Sequence, residues 1–210
     1  MHAPPAPSAL APDDLAPFAE QLIQHRHHVR FKDLAAPGPS AEQLRQILGA
    51  AASAPDHRQL RPWRFIVLGP GLRPALGRWF AQALQERDPS ADAHAQAQAR
   101  AKAALGACLV LAVADLRTPD PDVNEHEKWL SLGCAVQNVL LTATAMGFGT
   151  GLGGGRALGS RALRHGLGLQ AGEHAACFLA FGTPLAAPKA PPRPLPDDYI
   201  EWRDAPADSG

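Results

Sequence analysis

The stretch EHEKWLSLGCAVQNVLLTATAMGFGTG (residues 125–151) decides how the rest of the chain can be arranged. Residues 125–146 have the pattern of one long helix, and apolar side chains lie nearly all round its second half. A helix that is apolar on every side belongs at the centre of a core or in an interface. We therefore predict that this helix lies at the centre of the core or of an interface.

Three apolar runs of strand length lie on either side of this helix in the sequence. They read RFIVLG (64–69), CLVLAVAD (108–115) and CFLAFG (177–182). The second run is apolar throughout, which is typical of a buried central strand. The first is stopped by Gly69-Pro70-Gly71, a strong turn signal.

Shorter helical patterns alternate with these strands. Asp13 or Asp14 is predicted to cap the first helix, and Ser40 with Gln43 is predicted to form a capping box at the start of the second. Two further helices are expected over residues 72–87 and 91–105. A few strands among many helices indicate a mixed α+β fold.

The domain organisation is simple, because no internal repeat or linker divides the chain. We expect one domain over residues 14–203. Residues 1–13 are rich in Pro and Ala and lack both regions of a signal peptide, so a flexible lead-in is expected there. Residues 204–210 are expected to form a flexible tail.

Composition and charge narrow the possible functions. The chain has 210 residues, 46% of them hydrophobic, with 20 Lys and Arg against 20 Asp and Glu. This balance argues against a broad basic surface for nucleic acid. No apolar run reaches the roughly 18 residues of a membrane helix. Cys108, Cys134 and Cys177 form no CxxC pair and are interpreted as small buried hydrophobes of a cytoplasmic protein.

Four segments carry possible chemistry, and the first is QHRHHVRF (24–31). Its three histidines lie too close in sequence to converge on one metal ion and lack carboxylate company. An anion site, with Arg26 and Arg30 as phosphate donors, fits better. The alternative is a solvated basic helix end.

The second segment, SAPDHRQLRPWRF (53–65), crowds polar side chains into one connection. Two prolines stiffen it, and His57, Gln59 and Arg61 supply hydrogen-bond donors. Such a loop suits a flat polar ligand. Alternatively, Trp63 fills the core and the charges are merely solvated.

The third segment, MGFGTGLGGGRALGS (146–160), is rich in glycine. A dinucleotide-binding loop would follow a strand, whereas this run follows a helix. A tight strand, or a backbone that closely approaches a flat ligand, fits better. The fourth segment is the extended tail, in which Lys189 and Arg193 are either solvated or reach back to a phosphate.

Together these segments resemble the flavin-dependent nitroreductases, and most closely their short members. The resemblance covers roughly residues 15–203 and rests on motifs in the family's order: Arg26-His27-His28 followed by Arg30, the loop APDHRQLRPWRF, the long helix with its Gly-rich strand, and Gly-Thr-Pro (182–184) with PPRPL (191–195). It implies a three-layer fold, with a central mixed or antiparallel sheet surrounded by helices. It also implies a homodimer with the long central helix at the dimer interface and FMN bound at the subunit interface.

The resemblance further implies which residues bind the cofactor. Those expected at the FMN phosphate and ribityl chain are Arg26, His27, His28 and Arg30. Those expected from the other subunit are Ser53 and His57. Those expected beside the flavin ring are Leu152, Gly153 and Gly154, and those expected to neutralise the phosphate are Arg193 and Lys189. No metal is expected.

Three departures from the family pattern bear on this assignment. His28 stands where serine is usual, and Arg61 stands where glutamine is usual. Residues 152–155 lack the bulky aromatic and basic side chains of short relatives. The pocket over the flavin is therefore expected to be roomier, or the cofactor to be held more weakly.

The implied activity is a ping-pong reduction. NAD(P)H would deliver hydride to flavin N5, and a nitroaromatic, quinone or similar acceptor would then be reduced. Arg30 is the candidate cation near flavin N1 and O2, and no protein acid or base is assigned because solvent can supply protons. Two alternatives stay open: a flavin-binding module or sensor without turnover, and a family member with other redox chemistry such as dehydrogenation.

Overall fold

We describe the protein from a computed structural model, in which residues 11–188 and 190–204 are described. The helices are α1 Pro12–His25, α2 Ala41–Gly49, α3 Arg73–Arg87, α4 Ala93–Ala101, α5 Glu125–Ala145 and α6 Arg161–Gly166. The strands are β1 Leu34–Ala35, β2 Trp63–Val67, β3 Cys108–Asp115, β4 Gly149–Gly153 and β5 Glu173–Pro184. Most of the predicted lead-in and tail lies outside the described residues, and α1 already includes residues 12 and 13.

The five strands form one antiparallel sheet. Its order is β1-β5-β3-β2, and β4 also pairs with β5. β3 and β4 flank β5, since Cys108 of β3 and Thr150 of β4 are both paired with Phe181 of β5. The α+β prediction is confirmed, and β3 is a buried strand with β2 and β5 on either side, as its apolar run indicated.

The sheet separates two apolar layers, which follow the alternation of side chains along β3. Val110 and Ala112 pack towards α2 and α5, together with Ala135 and Val139 of α5. Leu111 packs on the opposite face, towards α3 and α6. Each large apolar side chain fully buried in this way contributes about 1.5–3 kcal/mol to stability. Helices therefore cover both faces of the sheet, which makes the three layers that were predicted.

Helix α5 is central, but it is not buried on every side. Ala135, Val139 and Ala143 are fully buried. Near its start, Leu130 is 69% exposed and Trp129 is 39% exposed. The apolar residues round this helix therefore serve both the core of the chain and an outer face.

The helix starts test the capping predictions. The capping box of α2 is confirmed, because Gln43 N donates to Ser40 Oγ at 3.2 Å and Ser40 N donates to Gln43 Oε1 at 2.9 Å. The prediction for α1 is wrong. Its N-cap is Ala11 and its first residue is a proline, so Asp13 and Asp14 lie in the first turn, where they complement the helix dipole.

The cysteines are free, as their spacing indicated. Burial raises the pKa of the Cys177 thiol to about 11, so this side chain is a neutral thiol at physiological pH. Cys108 and Cys134 are half-buried. Within the described part of the chain, no helix is long and apolar enough to cross a membrane.

Candidate functional site

A cavity of about 700 Å³ opens between the end of β4, the segment that follows α1, and helices α3 and α4. This volume lies within the range of ligand pockets. The polar and glycine positions of its lining are His28, Arg30, Arg87, Gln98, Lys102, Gly153, Gly154, Gly155 and Arg156. Its apolar lining includes Phe31, Phe80, Leu84, Leu109, Leu158 and Phe178.

Strand β4 holds the segment after α1 at the cavity edge. Val29 N donates to Thr150 O at 2.8 Å, and Leu152 N lies 3.4 Å from His28 Nδ1. This close approach requires glycine at position 151, because a Cβ there would lie 2.5 Å from Val29 O and 2.9 Å from the Phe31 ring. The glycine-rich run is thus a tight strand, as one of the predicted alternatives had it. It runs antiparallel to β5 and does not form a dinucleotide-binding loop.

The glycines that follow leave backbone open to the cavity. A Cβ on Gly154 or Gly155 would meet no atom within 4 Å. Gly155 also has φ of 146°, a conformation that side-chain-bearing residues rarely adopt. Gly154 and Gly155 can therefore present bare backbone to a flat ligand, whereas Gly153 is packed against the Phe31 ring.

The cavity is strongly cationic. Arg30, Arg87, Lys102 and Arg156 line it, whereas none of the described lining residues is an Asp or a Glu. Arg30 is neutralised by Asp33, since its Nε lies 2.6 Å from Asp33 Oδ2. The other three cations have no carboxylate within ion-pair distance among the described residues. The site therefore favours a ligand that carries negative charge.

The cavity brings together five of the predicted site residues: His28, Arg30, Leu152, Gly153 and Gly154. Arg26 and His27 are half-buried but do not line it, and Nδ1 of His27 is buried without a hydrogen-bond partner. Ser53, His57 and Arg193 are exposed and lie off this cavity of their own chain. Lys189 lies outside the described residues. No group of three His, Cys, Asp or Glu among the described residues could hold a metal ion.

Sequence reasoning missed Arg87, Lys102 and Arg156. Arg87 ends α3, and Lys102 directly follows α4. A cation in the last turn of a helix is ordinary, because it complements the helix dipole. The sequence did offer a signal for Arg156, because this residue directly follows Gly153-Gly154-Gly155 inside the Gly-rich segment that was already a candidate site.

Ion pairs connect the loop of residues 54–62 to the segment before α5. Arg58 forms ion pairs with Asp120, at 3.2 Å, and with Asp122. His57 Nδ1 lies 3.2 Å from Glu127 Oε2 on α5 itself. The charges of this loop are therefore partly paired. Trp63 also packs against the core, as the alternative interpretation of this segment had it, whereas a flat ligand held by this loop stays a prediction.

The same loop has a strained backbone. Arg58, Gln59 and Arg61 have φ of 57°, 55° and 48°. A left-handed conformation costs a residue with a side chain about 1–2 kcal/mol. Asp56 offsets part of this cost, because its Oδ2 accepts a hydrogen bond from Arg61 N at 2.6 Å.

We expect Arg58→Ala to loosen this loop. Removing both ion pairs should lower the free energy of unfolding by only about 1 kcal/mol, since the pairs are partly exposed. Hydrogen exchange at the Gln59 and Arg61 amides should accelerate about ten-fold. Mass-spectrometric exchange checks this, with Arg45→Ala on the exposed face of α2 as the control. Unchanged exchange rates in the Arg58 variant would contradict the claim that its ion pairs stabilise this loop.

Comparison with known proteins identifies the family. The model of the nitroreductase family matches residues 23–183, most of the chain. The chain belongs to the nitroreductase family. The family is enzymatic, so this nitroreductase-family protein is an enzyme. The resemblance predicted from the four sequence segments is confirmed.

Two curated relatives agree with this assignment. This chain is 32% identical over 185 residues to the Escherichia coli protein named "Putative NAD(P)H nitroreductase YdjA". The match covers 87% of this chain and 97% of the E. coli protein. This chain is also 32% identical over 152 residues to a Haemophilus influenzae protein with a similar name, covering 72% and 82% of the two chains. The predicted likeness to short family members is therefore confirmed.

Solved structures share the fold at lower identity. A nitroreductase-like family protein from Bacillus cereus matches with a TM-score of 0.75 and 20% identity, over 89% of this chain and 96% of that one. The FMN-dependent nitroreductase NfnB from Mycobacterium smegmatis, solved with NADPH, matches with a TM-score of 0.69 and 16% identity, over 90% and 100%. At these identities the likeness establishes the fold.

Proposed function

We propose that this protein is an FMN-dependent NAD(P)H oxidoreductase that reduces nitroaromatics, quinones or similar acceptors. One observation carries the proposal: a single cavity combines cations that lack carboxylate partners with open glycine backbone. Its relatives support the same reading, since YdjA is named as an NAD(P)H nitroreductase and NfnB as FMN-dependent.

The residues present fit FMN. A phosphate needs hydrogen-bond donors. Arg30 lines the cavity, and its guanidinium has further N–H groups beyond the Nε that Asp33 engages. We propose that it binds the phosphate together with Arg26, His27, His28, Arg193 and Lys189. A flavin ring needs a flat surface free of side chains. We propose that the open backbone of Gly154 and Gly155 supplies one, with Leu152 and Gly153 beside it.

The residues of the chain would bind the cofactor and orient the substrates. FMN would supply the redox chemistry, and we propose that NAD(P)H and the acceptor use the cavity in ping-pong order. Cations on the cavity wall favour the negative charge that reduction adds. Arg30 was the expected cation for this role, but Asp33 already neutralises it. Lys102, which lacks such a partner among the described residues, is the better candidate. Solvent supplies the protons, so we assign no acid or base.

We infer that the protein acts as a homodimer, with the cofactor at the subunit interface. Several large apolar side chains are exposed in the single chain, among them Leu15, Phe18, Ile23, Leu130, Leu195 and Trp202. Three of them, Leu15, Phe18 and Ile23, lie on the same helix α1, and we propose that the partner subunit covers them. The position of Ser53 and His57 off the cavity supports a role for both in the cavity of the partner subunit.

The visible spectrum of the purified protein tests the proposal. We expect a flavin spectrum that bleaches when NADH or NADPH is added without oxygen, and sedimentation at twice the chain mass. A flavin that stays oxidised would favour a binding or sensor role. A colourless protein that takes up no added FMN would refute the proposed function.

A further inference from the structure

We propose that Arg87 and Arg156 form an anion subsite, which selects acceptors that carry a carboxylate or similar anionic group on an aromatic body. This inference rests on the proposed function, because an acceptor is meaningful only for a redox enzyme. It goes further by naming the chemical class of acceptor and the residues that recognise it.

The first argument is charge. The whole chain is balanced, with 20 basic and 20 acidic residues, yet the described lining of the cavity holds four Lys and Arg and no Asp or Glu. Such segregation raises the local concentration of anionic ligands. The charges of Arg87 and Arg156 are not offset by a direct ion pair, because no carboxylate lies within ion-pair distance of either among the described residues.

The second argument is position. Arg87 lies at the end of α3, and Arg156 begins the 3-10 turn Arg156–Gly159 that follows β4. These two elements pack against each other, and both arginines line the cavity. The groups proposed for the FMN phosphate come from other parts of the chain, namely the segment after α1 and the C-terminal tail. The cofactor phosphate therefore leaves Arg87 and Arg156 available.

The third argument is the apolar surface beside these cations. Phe80 and Leu84 precede Arg87 on the same helix and line the same cavity. The Phe80 ring meets the Phe178 ring edge to face, with centroids 5.6 Å apart. Aromatic walls favour a flat aromatic body, and a planar guanidinium suits a carboxylate. Together they match an aromatic acid better than a neutral arene.

Equilibrium binding to the purified flavin-loaded protein tests the subsite without turnover. The probes are 2-naphthoate and its neutral isostere 2-naphthamide, titrated by calorimetry. We expect naphthoate to bind about ten-fold more tightly, and high salt to narrow the difference. Arg87→Gln and Arg156→Gln should each reduce the preference about three- to ten-fold. Arg78→Gln, an exposed arginine of α3 that does not line the cavity, should leave it unchanged.

Steady-state rates with 4-nitrobenzoate and 4-nitrobenzamide should show the same loss of preference in the two variants. Equal binding of naphthoate and naphthamide to the unaltered protein would overturn the subsite, as would release of FMN by naphthoate. If the two variants changed only the ratio of the rates with NADPH and NADH, the subsite would also be overturned, because the arginines would then bind the dinucleotide instead of the acceptor. In each of these outcomes the protein without naphthoate still shows a flavin spectrum that NAD(P)H bleaches, so they are distinct from a failure of the proposed function.

Discussion

Replacing Glu173 by glutamine is expected to lower the free energy of unfolding by about 2–3 kcal/mol, since removing one partner of a buried ion pair leaves the other uncompensated. The Glu173 side chain is 1% exposed and accepts hydrogen bonds from Arg64 Nε and Nη2 at 2.7 and 2.9 Å. Gln170 N donates to it at 2.8 Å, and Arg117 lies 3.2 Å away. Glutamine keeps the shape but loses the charge and one acceptor. Arg64 is 40% exposed, so solvent limits the cost.

The same cluster predicts how stability depends on pH. The hydrogen bonds from Arg64 hold the pKa of Glu173 below its usual range, and those from Arg117 do the same for Asp115. A carboxyl whose folded pKa is depressed stabilises the protein above its unfolded pKa, about 4 for these groups, and the stabilisation is lost as pH falls through the folded pKa. Acidification below about pH 4 should therefore lower the free energy of unfolding of the native protein. This free energy should depend less steeply on pH in Glu173→Gln.

Urea unfolding at neutral and acid pH measures both effects. The control is Glu201→Gln, which removes a charge from an exposed pair with Arg203 and should change stability by less than about 0.5 kcal/mol. If Glu173→Gln unfolds at the same urea concentration as the native protein at neutral pH, the buried pair contributes nothing and the argument fails.

Gly151→Ala should have the second large effect, on both stability and flavin content. The new Cβ would lie 2.5 Å from Val29 O, a backbone atom that cannot retreat without straining the hydrogen bond from Val29 N to Thr150 O. Overpacking of this kind costs about 1–3 kcal/mol. It would also displace His28 and Arg30 from the cavity edge. We expect a less stable protein that retains little flavin, measured by unfolding and by the ratio of visible to ultraviolet absorbance.

Gly154→Ala is the matched control. Its Cβ meets no atom within 4 Å, so stability should stay within about 0.5 kcal/mol of the native value. If the flavin ring lies on this backbone, its content should nevertheless fall. Full flavin content in Gly154→Ala would argue against that placement. Unchanged stability and flavin content in Gly151→Ala would contradict the role given to β4.

Local patterns predicted much of the fold, because their determinants lie within a few residues of one another. The apolar run of β3, the capping box of Ser40 and Gln43, and the period of α5 each specify an element without reference to distant parts of the chain. The start of α1 was missed, since Pro12 and Asp13 are both good helix-starting residues. β1 escaped notice because it has only two residues, and it is a strand only through pairing with β5.

Local sequence patterns predicted only some of the residues that line the cavity. His28 and Arg30 stood in a recognisable motif, whereas Arg87, Lys102 and Arg156 looked like solvated charges until α3, α4 and β4 were brought to one wall. Gly151 looked like one glycine among many, although the backbone of Val29 makes it obligatory.

The sequence by itself determined most of the elements, the family and the cationic motif after α1, because these depend on periodicity, capping and short-range spacing. Only the tertiary structure decided which charges are neutralised, which glycines are required and which cations share a cavity. Those properties depend on distances between residues far apart in the chain, as in the pairing of Arg64 with Glu173 and the separation of Ser53 from the cavity.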